Sequence, residues 1–292
     1  MNILVTGANG QLGTELRLGS AGSAHRFIFT DVSDLPDVET VHLDITDRKA
    51  VEIVYASESV DLIVNCAAYT AVDAAEDDAR MARLLNATAP SILADAAVRH
   101  GASLIHISTD YVFPGTGSTP IPETAQPGPR SVYGRTKLEG EDAIRRSGCN
   151  AIIIRTAWLY SPFGKNFVKT MAGLTSRNGS VSVVYDQVGS PTSAADLAAA
   201  ILHIIDTGQT GKTGTYHFTD EGAVSWYDVA CAVNELCGNS CKVRPCLSSQ
   251  FPSKVDRPHY SVLDKSLFRE TFGFEIPYWR ESLKICIDRL CK

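Results

Sequence analysis

Asn2-Ile3-Leu4-Val5-Thr6 runs directly into Gly7-Ala8-Asn9-Gly10-Gln11-Leu12-Gly13, and that junction decides the fold. An apolar run ends on glycines spaced G-x-x-G-x-x-G, and a helix carrying Leu12, Leu16 and Leu18 opens behind them. Glycines there let backbone N–H groups approach a pyrophosphate at a helix N-terminus. A structural turn would use the same residues, and the spacing departs from the G-x-G-x-x-G of many dehydrogenases. The second run, Arg26–Thr30, ends at Asp31, 18 residues beyond Gly13. A carboxylate in that place accepts hydrogen bonds from an adenosine ribose and repels a 2′-phosphate, so NADH is the expected dinucleotide, with NADPH tolerated. The alternative role for Asp31 is a cap or turn residue.

Outward from the turn the rhythm repeats. Val41–Leu43, Asp61–Ala67, Ser103–Ile107 and Ala151–Thr156 are short apolar runs separated by helical stretches such as Met81–Arg99. That alternation predicts six parallel strands buried under helices, an α/β Rossmann-type doubly wound sheet with right-handed crossovers. The pattern changes after Trp158. A helix is expected from about Ser193 to 207, with Ser193 and Asp196 at capping spacing and a wide apolar face that returns to the main core. The domain expectation is therefore 1–160 for the dinucleotide, with the 193–207 helix packed back on it. Residues 161–292 form a smaller, discontinuous C-terminal substrate-binding lobe.

Composition narrows the function. The 292 residues are 44% apolar and 21% charged, close to ordinary globular averages. The longest apolar runs are about six residues, far below the roughly 20 of a membrane helix. The beginning of the chain shows neither a basic lead-in nor a cleavable apolar core, so no membrane association and a cytoplasmic location are expected. With 27 basic against 33 acidic residues the net charge is −6, which argues against nucleic acid as a partner. The eight cysteines form no C-x-x-C pair, which weakens a zinc reading and leaves reduced structural thiols.

Tyr133 and Lys137 stand at i and i+4 on a polar helix that follows the fifth strand, so phenol and ammonium can converge on one ligand. An unperturbed phenol titrates near 10 and is a poor proton shuttle, and a neighbouring lysine cation would bring it toward the working range. Thr109 and Asp110, at the carboxyl end of that strand, point toward the ligand crevice of such a sheet. Thr109 could donate to a substrate carbonyl or satisfy a strand-end backbone group.

Seven segments together are distinctive: VTGANGQLGTEL (5–16), NCAAYTAVDAAE (65–76), STDYVF (108–113), VYGRTKLEGE (132–141), RTAWLY (155–160), GSPT (189–192) and RPHYSVLD (257–264). Over nearly its whole length the chain resembles the extended short-chain dehydrogenase/reductases and, within them, the dTDP-4-dehydrorhamnose reductase family. The resemblance implies reduction of the C4 ketone of dTDP-4-dehydro-6-deoxy-L-mannose by NADH or NADPH. It puts Gly7, Gly10, Gln11, Leu12 and Gly13 at the pyrophosphate, Asp31 on the ribose, and Asp44 and Ile45 at the adenine. Ala68, Tyr69 and Thr70 would border the nicotinamide side. Thr109 and Asp110 would meet the sugar, Tyr133 would be the acid, and Lys137 would hold the nicotinamide ribose. Trp158 would pack on the sugar or fill core, and Arg257 would pair with the diphosphate or stand in solvent. Some members of the family hold magnesium with glutamates at a dimer interface. Glu15 stands where one such ligand could lie, so a homodimer with magnesium is a further expectation. Two rivals stay open: a nucleotide-sugar epimerase or dehydratase of the same fold, and a non-catalytic subunit resembling the methionine adenosyltransferase β subunit. Thr109-Asp110-Tyr111, where dehydratases typically have T-D-E, argues against dehydration.

Overall fold

The computed structural model describes residues 1–251 and 253–291. In chain order the larger body contains β1 (Asn2–Thr6), α1 (Gln11–Gly19), β2 (Arg26–Asp31), β3 (Val41–His42), α2 (Arg48–Glu58), β4 (Leu62–Asn65), α3 (Val72–Asp77), α4 (Ala79–Arg83), α5 (Ala89–His100), β5 (Ser103–Thr109), α6 (Val132–Ser147) and β6 (Ala151–Thr156). The rest of the chain adds β7 (Leu159–Tyr160), α7 (Phe167–Arg177), β8 (Ser180–Val184), β9 (Val188–Gly189), β10 (Thr192–Ser193), α8 (Ala194–Asp206), β11 (Gly214–His217), β12 (Val224–Ser225), α9 (Trp226–Leu236), β13 (Lys242–Cys246), α10 (Ser266–Phe272) and α11 (Trp279–Leu290).

The main sheet is parallel, in the order β11-β6-β5-β4-β1-β2-β3. Consecutive crossovers move one way from β1 to β3 and the other way from β4 onward. Ligands bind such sheets at the carboxyl ends of the strands, where the order reverses, here between β1 and β4. One face is closed by α1, α8 and α10, which bring Leu16, Ile201, Ile204, Phe268 and Phe272 onto Val5, Val64 and Ile154. The other is closed by α2, α5 and α6, with Val51, Leu93 and Ile144 on Leu4, Ile63 and Ile153. A third apolar cluster holds α7, α9 and α11 together through Met171, Val229, Val233 and Leu283.

The sheet therefore has a seventh strand beyond the six expected. The smaller lobe is expected over 161–292, yet Gly214–His217 lies beside β6 and the Ser266–Phe272 helix packs on the main core. Four residues are too short to carry a periodic signal, so β11 is visible only through its pairing. Ser193 also departs from expectation. Its side chain makes no cap bond; instead its N–H donates to buried Asp220 Oδ2 at 2.9 Å.

The expected helix over 81–99 is interrupted by a π-helical turn at Leu84–Thr88. The cause is Pro90, which lacks an N–H for the Asn86 carbonyl four residues back and would crowd it. Gly140 of α6 fills the space, since a Cβ there would lie 2.1 Å from the Asn86 oxygen. Gly140→Ala should therefore destabilise the protein by about 1–3 kcal/mol, the usual cost of overpacking. Urea unfolding checks this, and an unchanged midpoint would contradict the close contact.

Candidate active site

Where the sheet order reverses, a cleft of about 700 Å³ is lined by Gly7, Gly10, Gln11, Leu12, Asp31, Asp44 and Ile45 at one end. Ala68, Thr70, Thr109, Asp110, Tyr133 and Lys137 line its middle, and Trp158, Trp226 and Arg257 its far wall. Gly7 has φ +64 and lies so close to Ala67 that a Cβ would sit 2.7 Å from its backbone. Gly13 does not reach the cleft; it lies under the turn, against Ala8. No side chain caps α1 at Gly10, so the donors of its first turn have no protein cap at the cleft. Gln11 Oε1 accepts from Asn166 Nδ2 at 2.8 Å, tying the glycine turn to the loop before α7.

Asp31 has both of the roles considered for it. It borders the cleft, and it also organises the turn, accepting from Asn9 N at 3.1 Å and from Ser33 N at 3.0 Å. Asp44 caps its own loop through Thr46 N at 2.8 Å. Tyr69 is not among the residues lining the cleft; its backbone N and O are held by the Asn86 side chain at 2.9 and 3.1 Å.

Ser131 caps α6 by accepting from Gly134 N at 3.0 Å. A Cβ at Gly134 would lie 2.2 Å from the Tyr111 oxygen, so only glycine lets this helix approach the end of β5 closely. That approach sets the Tyr133 ring edge-on to Tyr111, with centroids 5.5 Å apart. Burial pushes the Tyr133 phenol up to about 12, opposed by a hydrogen bond with Thr109 and reinforced by the Asp110 charge. Asp110 is itself raised to about 6 by burial, against hydrogen bonds from Ser261 and Thr109.

The ammonium of Lys137 does not reach across to tune this phenol, as the helical spacing suggested. Its Nζ donates to the Ile107 carbonyl at 2.6 Å and lies 3.4 Å from His106 Nε2. Burial lowers Lys137 to about 8, with Glu141 and Cys66 acting in the opposite sense.

Thr109 does satisfy a local backbone group, accepting from Tyr111 N at 3.2 Å, while its hydroxyl remains on the cleft wall. Trp158 is likewise both wall and packing. It has φ +50, a strained conformation for a bulky residue, and stacks on Trp226 with centroids 3.5 Å apart. Arg257 borders the cleft and is paired with Asp73 at 2.6 Å.

A family model described as RmlD substrate binding domain matches residues 1–292. The chain belongs to the dTDP-4-dehydrorhamnose reductase family. Members and relatives agree with that placement. A probable dTDP-4,6-dihydroxy-2-methyloxan-3-one 4-ketoreductase of Streptomyces antibioticus is 41% identical, over 97% of this chain and 94% of its own length. A crystal structure of a dTDP-4-dehydrorhamnose reductase from Clostridium acetobutylicum superposes with a TM-score of 0.93 at 44% identity, covering 100% of both chains. One from Bacillus anthracis, in complex with NADP, gives 0.90 at 34% identity over 99% of both.

The residues fit the dinucleotide this family implies: an uncapped helix N-terminus behind a turn that opens and closes on glycine, a carboxylate ending β2, and a cleft reaching Tyr133 and Lys137. A magnesium ion shared with a second copy would have to draw Glu15 out of an existing pair. Glu15 lies outside the cleft and is paired with Arg289 at 2.9 Å, so its charge is already neutralised. No group of three or more metal-ligating side chains occurs among the described residues. Nor is any helix among them long and apolar enough to cross a membrane.

Reading the sequence missed Lys165, Asn166 and Trp226, which line the cleft. A signal for Trp226 existed: Ser225 and Asp228 form a capping box that opens α9 at this residue. Also missed was the polar layer beneath the cleft. Buried Glu141 accepts from Arg155 Nε at 2.9 Å, from Arg155 Nη2 at 2.7 Å and from Ser108 at 2.6 Å.

Proposed function

We propose that this chain is a cytoplasmic reductase that converts dTDP-4-dehydro-6-deoxy-L-mannose to dTDP-L-rhamnose with NADPH or NADH. In this reading 1–160 serve the dinucleotide and the lobe drawn mainly from 161–292 serves the sugar. The carrying observation is a half-buried Tyr133 beside Thr109 and Lys137 in the wall of the cleft that begins at the glycine turn. The bound dinucleotide supplies the hydride.

Each remaining task falls to a named residue. Gly7, Gly10, Gln11 and Leu12 border the pyrophosphate, with Gly13 shaping the turn beneath. Asp31 takes the ribose, and Asp44 and Ile45 the adenine. Ala68 and Thr70 wall the nicotinamide, with Tyr69 acting only through its backbone. Thr109 and Asp110 hold the sugar near its ketone, and the Trp158–Trp226 slab limits the space around the ring. Arg257 exchanges Asp73 for the diphosphate. Tyr133 passes its proton to the alkoxide oxygen as hydride arrives at C4, and Lys137 holds the nicotinamide ribose. Burial keeps this phenol protonated at neutral pH, so the proton that the reductive direction consumes is in place.

The deciding assay follows absorbance of reduced nicotinamide with freshly generated dTDP-4-keto-6-deoxy-L-sugar. Consumption should match product one for one, whereas an epimerase would consume none and a regulatory subunit would neither oxidise NADPH nor act without its partner enzyme. The likeness to the Streptomyces 4-ketoreductase favours one second reading, a related dTDP-linked ketosugar as substrate. A panel of such sugars separates the two by kcat/KM. The homodimer belongs to the same proposal, and with Glu15 committed to Arg289 it would form without a metal; sedimentation velocity tests it.

Asp31→Asn keeps one acceptor, enough for the Ser33 N–H and hydroxyl that share Oδ1, but gives up the Oδ2 acceptor of Asn9 N and the charge that opposes a 2′-phosphate. The ratio of kcat/KM for NADPH to that for NADH should rise about tenfold. No change in that ratio would place the adenosine ribose elsewhere.

A further inference from the structure

Behind the cleft, Thr6, Asn65 and His106 are register partners on β1, β4 and β5, and they form one row across the sheet. Thr6 and His106 are 0% exposed and Asn65 1%. Thr6 Oγ1 lies 2.6 Å from Asn65 Oδ1, Asn65 Nδ2 lies 3.0 Å from His106 Nδ1, and His106 Nε2 lies 3.4 Å from Lys137 Nζ. We propose that His106 is a positioning residue, and that the Thr6–Asn65–His106 row holds the Lys137 amine so that one N–H stays free for the ligand in the cleft. The proposal rests on the reductase reading, because it assigns Lys137 a ligand to hold.

The donors and acceptors determine how the row works. An ammonium only donates, so beside protonated Lys137 the His106 Nε2 must accept and Nδ1 must carry the ring proton. Asn65 then presents its carbonyl oxygen to Nδ1–H and its amide nitrogen to Thr6. Exchanging the two ends of an amide leaves its shape unchanged. The orientation with Nδ2 toward His106 belongs to neutral Lys137, which accepts from Nε2–H. The row thus has two self-consistent directions, one for each charge state of the lysine.

In the charged state Ile107 O and His106 Nε2 take two of the three ammonium protons. The third faces the cleft. The row ends at buried Thr6, with Thr30 Oγ1 beyond it donating to the Val5 carbonyl at 3.0 Å. A proton relay needs an exit, so this arrangement positions the amine and does not conduct protons. His106 stays neutral, because burial and then the Lys137 charge hold it well below the usual histidine range. The other titratable groups facing Lys137 are Glu141 on its own helix and Cys66 after β4, whose thiol burial pushes up.

The test reads the imidazole nitrogens of the unaltered, full-length protein by ¹⁵N NMR. At pH 6.5 His106 should be the Nδ1–H tautomer, and it should pass to Nε2–H as pH rises beyond the Lys137 titration near 8. An Nε2–H tautomer at pH 6.5 overturns the proposal. Two variants add the functional readout. His106→Leu removes the acceptor, so NADPH binding should weaken about tenfold and the alkaline limb of kcat/KM should move to lower pH. His106→Gln offers an acceptor and should recover both to within about threefold of the parent. A folded His106→Leu protein with unchanged NADPH affinity and an unchanged alkaline limb also overturns it. Should His106→Leu fail to fold, the tautomer measurement decides alone. If no ketosugar is reduced, the activity reading fails, while the tautomer still tests the row.

Discussion

Tyr133→Phe is expected to lower kcat by roughly 10²–10⁴-fold, the usual contribution of a positioned general acid, with NADPH affinity nearly unchanged. The ring packs edge-on against Tyr111, and phenylalanine preserves that contact. What disappears is the hydroxyl beside Thr109, the proton source for the nascent alkoxide. Thr109→Ala in the same series should cost less, since it removes a hydrogen bond to the phenol and not the proton itself. Near-normal turnover by Tyr133→Phe would take tyrosine out of the mechanism, and weakened NADPH binding by that variant would mean that the hydroxyl holds the dinucleotide as well.

The second large effect concerns stability. Glu141→Ala should destabilise the protein by about 3–5 kcal/mol, because it leaves the Arg155 guanidinium buried without its counter-charge. Glu141 is 0% and Arg155 2% exposed. Although burial raises the Glu141 carboxyl, the hydrogen bonds and charge of Arg155 outweigh it and hold the group below its usual range. Burial, then the Arg155 charge, drives His217 down to about 3, so its neutral ring can lie 3.5 Å from the guanidinium on the edge strand. Replacing both partners, as in Glu141→Leu with Arg155→Met, should cost less than the single change, because no buried charge is stranded. Urea unfolding of the three proteins is the check. A loss below about 1 kcal/mol for Glu141→Ala would show that water reaches Arg155 and that the layer under the cleft is not sealed.

What could be read from the residues, and what could not, follows from the range of the interactions. The glycine turn, Asp31, the alternation of β and α, and the Tyr133–Lys137 spacing are local patterns, and they anticipated the doubly wound sheet and most of the cleft. Pro90 also carried its message locally, but a π turn needs Gly140 from another helix to occupy the gap. Trp226 comes from a lobe that meets the cleft only after folding, and no spacing relates it to Trp158. Lys137 shows the limit most clearly. Sequence determined that an amine would lie one helical turn from a phenol. Whether it faced that phenol depended on Ile107 and His106, on a strand some 30 positions earlier. Periodicity fixes which face of an element a side chain occupies, because backbone geometry repeats. Its hydrogen-bond partners and charge state are set by whatever the fold brings opposite it, and in a buried site that local electrostatics governs the chemistry.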